Sequence, residues 1–176
     1  LYKSPQIFLR TLLHICIKCC IMYSVMKVGI YFNKKYLPGY LEAVQRIKER
    51  LGASGIECAA VCSPEDLDGT DVLMVLGGDG TILTVAADCA RRGIKIMGIN
   101  YGHIGFLAEF EQEKLDEAIE LLCSGDYSTE KRGMLSVEIG GRSFIALNDL
   151  VIERSTYGQK YSNTISLSAY IDGSLV

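Results

Sequence analysis

From Met26 onward, apolar and polar positions alternate between two rhythms. KVGIYFN, starting at Lys27, has the β-branched and aromatic character of a strand. Across residues 40 to 51, Leu41, Val44, Ile47 and Leu51 recur at the spacing of one helical face, and Gly52 is placed to end that helix. IECAAVC predicts a second short strand. DVLMVLGG is apolar on both faces, the pattern of a central parallel strand covered by helices on either side. The segment from Thr81 to Arg92 is apolar almost all round and predicts a buried helix. Arg91 and Arg92 suit its negative C-terminal end, and Gly93 stops it. IKIMGIN is the next strand, and Leu115, Ala118, Ile119 and Leu122 mark a regular amphipathic helix. This alternation predicts an α/β fold: an open, parallel, Rossmann-like sheet with flanking helices and right-handed crossovers.

After about residue 127 the helical rhythm ends. MLSVEIGGRSFIALNDLVIERS holds two strand-like runs with Gly140-Gly141 between them as a hairpin turn. NTISLSAYIDGSLV alternates again and places a second hairpin signal at Asp172-Gly173. Only three residues follow that turn, too few for a full return strand, so the expectation is a β-rich (β-sandwich) domain that is incomplete. Residues 1–25 read differently, with Arg10, His14 and Lys18 breaking every apolar run. No stretch there has the length of a membrane span or the layout of a signal peptide. The expected organisation is a leader or upstream extension over 1–25, an α/β domain over 26–126, and the start of the β-rich domain over 127–176. An amphipathic anchoring helix is the alternative for the leader.

Composition narrows the function. A net charge of −3 argues against a nucleic-acid binder, which needs a basic surface. Small anions remain open, because backbone amides bind them without net positive charge. Of the seven cysteines, Cys16, Cys19 and Cys20 form a run that could be half a zinc site, yet no second cluster with ligand spacing follows. Cys58, Cys62, Cys89 and Cys123 lie in apolar contexts and read as reduced, mostly buried thiols, which points to the cytoplasm.

The candidate chemistry lies in three stretches. Gly77-Gly78-Asp79-Gly80-Thr81 joins the central strand to the next helix, beyond the strand's carboxyl end, where open sheets bind ligands. Glycines permit close backbone approach, and a helix N-terminus offers free amides to phosphate. A carboxylate there repels phosphate, so Asp79 makes sense as the acceptor of a proton from a hydroxyl that attacks phosphorus. The bland alternative is a helix N-cap. The motif matches neither Gly-x-Gly-x-x-Gly nor the P-loop with its Lys.

The second stretch, GINYGHIGFLAEF, has Gly98, Gly102 and Gly105 punctuating the carboxyl end of a strand. Phe106 beside them is either a stacking platform for a base or a core plug, and His103 reads as structural. In the third, Asn148-Asp149 interrupts strand residues and must face water or find partners. Asn can meet a ribose hydroxyl or a base edge, and flanking strand residues weaken a turn reading.

GGDGT, GINYGHIGFLAEF and ALNDLVIER, in this order and spacing, resemble the NAD kinases, from about Met26 to the C-terminus. GGDGT alone also occurs in diacylglycerol and sphingosine kinases. The resemblance implies phosphoryl transfer from ATP to the 2′-hydroxyl of the adenosine ribose of NAD, giving NADP, with a divalent ion, usually magnesium. It implies Asp79 as general base and Gly80 in contact with the dinucleotide, with Gly77, Gly78 and Thr81 forming the loop. Phe106 would lie against adenine, and Asn148 with Asp149 would hold NAD; many members have Glu at the second of these. It further implies a homo-oligomer without nucleic-acid or membrane partners. The family's later Gly-Asp-Gly and Thr-Gly-Ser-Thr-Ala-Tyr-like segments are not in this sequence. The alternatives are a non-catalytic nucleotide-binding module and, less well supported, a lipid kinase.

Overall fold

The computed structural model describes residues 26–33, 37–102, 105–152 and 168–175. Five strands form a parallel sheet in the order β2-β1-β3-β4-β5: β1 Lys27–Phe32, β2 Glu57–Val61, β3 Val72–Leu76, β4 Lys95–Asn100 and β5 Phe110–Glu111. Three helices cover it: α1 Leu37–Ala53, α2 Asp79–Arg92 and α3 Leu115–Ser124. β3 explains why two layers of helix are needed. All five of its residues are buried; Val72, Met74 and Leu76 point to one face, Leu73 and Val75 to the other. On the first face they meet Ile47 and Leu51 of α1 and Ile119 and Leu122 of α3. On the second they meet Ile82, Val85 and Cys89 of α2.

The predicted strands and helices that fall on described residues are present, with instructive differences in detail, while residues 153–167 of the last two runs lie outside the described residues. In α1 the buried face runs through Tyr40, Ala43, Ile47 and Leu51, whereas Leu41 is 56% exposed. Leu41 lies one position, or 100°, off that stripe, and its side chain stands at the surface. The helix also continues past Gly52. Its end is set by Gly55 at φ +74°, with Ile56 N–H donating to Leu51 O and Gly55 N–H to Gly52 O, the paired bonds that close a helix with a left-handed residue. Gly93 ends α2 the same way, as expected. α2 itself is amphipathic rather than buried all round. Its inner stripe is Ile82, Val85, Ala86 and Cys89, while Thr84 and Ala90 face out. β5, only two residues long, was hidden in a segment with no strand rhythm.

Two antiparallel hairpins follow: β6 Leu135–Ile139 with β7 Arg142–Ala146, and β8 Tyr170–Ile171 with β9 Ser174–Leu175. Both turns fall where the sequence puts them. Gly140 (φ +56°) and Gly141 (+74°), then Asp172 (+49°) and Gly173 (+81°), take the left-handed conformations of a two-residue hairpin turn. The second hairpin has a return strand after all, a two-residue one.

The four described cysteines are free thiols, but only Cys89 is buried; Cys58 and Cys123 are half-buried and Cys62 is exposed. The expectation of mostly buried thiols therefore holds for one of them. Cys16, Cys19, Cys20 and the rest of residues 1–25 lie outside the described residues. Burial pushes the Cys58 and Cys89 thiols up to about 11. No helix among the described residues is long and apolar enough to cross a membrane.

Replacing Ile47, fully buried, by Ala should cost about 2–5 kcal/mol in urea unfolding, whereas Leu41→Ala should stay within about 0.5 kcal/mol. Equal losses would mean that the helix face is misplaced. Among the described cysteines, iodoacetamide at pH 8 should label Cys62 first and Cys89 last, read by peptide mass spectrometry, since the reactive species is an accessible thiolate.

Candidate functional site

The order of the parallel strands reverses direction between β1 and β3: β2 is added on one side of β1, and β3, β4 and β5 on the other. Helices leaving the carboxyl ends of β1 and β3 therefore go to opposite faces, and a crevice opens between them. The turn after β3 faces that crevice. Gly77 N–H donates to Ile99 O (3.0 Å), so the β3–β4 ladder runs one residue beyond β3 before the chain turns into α2.

The glycines of this turn differ in what demands them. Gly77 has φ +156°, and a Cβ there would collide with the Thr81 side chain, folded back over it. At Gly80 an added Cβ meets nothing within 4 Å. The fold has no need of glycine at an exposed helix position where alanine is worth about 0.5–1 kcal/mol more. The amides of Asp79 and Gly80 open α2 and have no acceptor within the helical ladder.

Asp79 is not an N-cap. Gly78 occupies that position, with no side-chain cap, and Asp79 is the first residue of α2. Its carboxylate instead reaches across to the loop after β4. Oδ2 accepts from Phe106 N–H at 2.8 Å and Oδ1 from Leu107 N–H at 3.1 Å. The first two candidate stretches are therefore one site. The loop is pinned twice more: Glu109 Oε2 accepts from Gly98 N–H at 2.7 Å, and Glu111 Oε2 from Asn100 Nδ2 at 3.0 Å. Asn100, 3% exposed, also accepts Gly102 N–H on Oδ1 at 3.1 Å. Gly98 lies inside β4, not at its end, and gives the loop room. A Cβ there would come within 2.8 Å of both the Ala108 Cα and the Ile82 side chain.

Phe106 stands 92% exposed on this pinned loop, which removes the core-plug reading. His103 lies outside the described residues. Asn148 and Asp149 do not interrupt a strand: β7 ends at Ala146, a bend holds 147 and 148, and both polar residues are exposed. β7 lies close to α2, but among the described residues no hydrogen bond joins Asn148 or Asp149 to Asp79 or Phe106.

Sequence reading missed Asn100, Glu109 and Glu111. The spacing of the two Glu at i and i+2 on either side of Phe110 was the available signal, since it puts both on one side of a strand. It also missed an aromatic group at the same edge of the sheet. Tyr40 packs edge-on against Tyr101, ring centres 4.9 Å apart, and at a tilt of 44° against Phe32 at 5.9 Å. Burial, with Tyr40 beside it, lifts the Tyr101 phenol above its ordinary value of 10.0, so it remains a neutral hydrogen-bonding group at physiological pH.

Asp79, Glu109 and Glu111 each accept from amides, and among the described residues no group of three His, Cys, Asp or Glu is placed to hold an ion.

The α/β part of the chain is similar to known proteins. The family model described as the ATP-NAD kinase N-terminal domain matches residues 30–127, more than half the chain. A protein named NAD kinase from Clostridium botulinum (strain Kyoto / Type A2) is 43% identical over 112 residues, which is 61% of this chain and 38% of that protein. One of the same name from Clostridium kluyveri is 34% identical over 126 residues, covering 69% of this chain and 44% of its own. The chain thus matches less than half the length of these relatives. The crystal structure of yeast NADH kinase complexed with NADH is similar in fold, with a TM-score of 0.52 at 16% identity over 69% of this chain and 46% of that one.

Phe106→Ala should change unfolding free energy by no more than about 0.5 kcal/mol, as at other exposed positions. A loss in the range of about 3–5 kcal/mol would mean that the ring is packed.

Proposed function

Because the chain belongs to the ATP-NAD kinase N-terminal domain family, we propose that the complete protein is an NAD kinase, which forms NADP by moving the terminal phosphoryl group of ATP to the 2′-hydroxyl of the adenosine ribose of NAD. The supporting observation is the clasp of Asp79 to the Phe106 loop, which puts a carboxylate and an exposed aromatic ring on one rigid unit at the switch point of the sheet. Phe106 lies against adenine, and Asp79 meets the ribose of the same nucleoside. Asp79 takes the 2′-hydroxyl proton as that oxygen bonds to the terminal phosphorus; the bond from phosphorus to the bridging oxygen breaks, and ADP leaves. Both Asp79 oxygens already accept one amide hydrogen, but each carboxylate oxygen has a second acceptor site free for the hydroxyl.

Gly80 gives the dinucleotide close access to the backbone, which is why glycine is kept where the fold does not need it. Gly77, Gly78 and Thr81 shape the turn, and Asn148 with Asp149 hold NAD from the β-hairpin side. Magnesium would accompany the triphosphate and offset the charge of its phosphates. On the family resemblance we read the complete protein as a cytoplasmic homo-oligomer, with residues 127–176 opening a β-rich domain that contributes the remaining nucleotide contacts.

The competing reading is a module that binds nucleotide without catalysis. Asp79→Asn in the full-length gene product separates the two. It should lower kcat for NADP formation by about 10²–10⁴, the range for a general base, while NAD still binds in calorimetry. Unchanged turnover would remove Asp79 as the base, and NAD binding by a folded wild-type protein that makes no NADP would favour the module.

A further inference from the structure

We infer that Gly105 is a positioning residue, whose lack of a side chain lets the Asp79 carboxylate seat against the second loop and so fixes the base relative to the aromatic platform. A Cβ at Gly105 would lie within 2.9 Å of all three carboxylate atoms of Asp79, closer than side chains come in folded proteins. The two hydrogen bonds that seat the carboxylate come from the next two residues, Phe106 and Leu107. Gly105 is therefore one wall of the clasp, and the gap it leaves is filled by the carboxylate itself.

Two further contacts make this wall stiff. Ala108 rests on Gly98 of β4, and Glu109 holds the Gly98 amide, so the loop cannot back away from a new methyl group. A methyl at 105 would push the lighter partner, the Asp79 side chain, off its amides. Glycine here is set by the position of Asp79 and not by the turn alone, a coupling between residues 26 apart. A carboxylate displaced by about 1 Å loses on the order of a hundredfold in rate, because proton transfer requires alignment with the attacking oxygen.

This inference rests on the reading of Asp79 as the base, and the test separates the two. Amide hydrogen exchange and steady-state kinetics are measured on the full-length gene product, wild type, Gly105→Ala and Asp79→Asn. In the wild type the Phe106 and Leu107 amides should exchange slowly. In Gly105→Ala both should lose protection while α2 keeps its own, and kcat for NADP formation should fall about a hundredfold with little change in the KM for ATP. Full kcat in Gly105→Ala, or fast exchange at both amides in the wild type, overturns the inference. If Gly105→Ala does not fold, Asp79→Asn decides: it leaves one acceptor oxygen in place of two, so exchange should quicken at these amides, and unchanged protection at both overturns the clasp. An Asp79→Asn protein that loses this protection yet keeps full turnover instead removes Asp79 as the base and leaves the clasp a structural contact.

Discussion

A strand paired along both edges and covered on both faces can meet a ligand only at its ends, and β3 is such a strand. Its five apolar side chains are shared between two helical layers, so no polar group can be placed along it. What the strand can do is aim the turn that follows. The order of the sheet reverses beside it, which leaves the turn facing an open crevice, and the helix that begins there presents its first amides to the same space. Chemistry at this edge is a consequence of how the core is covered.

Packing alone would leave two separate loops at that edge, one after β3 and one after β4. Carboxylates join them. Asp79 reaches from the first loop to two amides of the second, and Glu109 and Glu111 reach from the second back to β4. Among the described residues each carboxylate is met by amides, not by Lys or Arg, so the edge is held by directional hydrogen bonds. Such an arrangement fixes geometry well, and it leaves the first amides of α2 as the groups at this edge suited to an anion.

Much of this could be read in the sequence because the signals were local. Apolar runs marked β1, β3 and β4; the 115, 118, 119, 122 spacing marked α3; paired residues with left-handed torsions marked both hairpins. The GGDGT and GHIGFLAEF stretches each looked like a site. Only the family resemblance joined them; the residues alone did not, because a carboxylate's choice of amides 27 and 28 residues away leaves no periodicity. For the same reason Asp79 could be taken for an N-cap, when Gly78 holds that place. Leu41 was misplaced because one residue of phase decides whether a side chain on α1 is buried, and the Tyr40 ring could not be weighed against it without the partner Tyr101. The bend at Asn148 was masked by apolar neighbours on both sides, two of which, Val151 and Ile152, are in fact exposed.

The most direct test is a crystal structure of the full-length gene product with NAD bound. The adenine ring should stack on Phe106 and the ribose 2′-oxygen should lie within hydrogen-bond reach of Asp79, about 2.6–3.2 Å or through one water, with the carboxylate still seated on the Phe106 and Leu107 amides. NAD bound elsewhere, or with its 2′-oxygen turned away from Asp79, would contradict the proposed function.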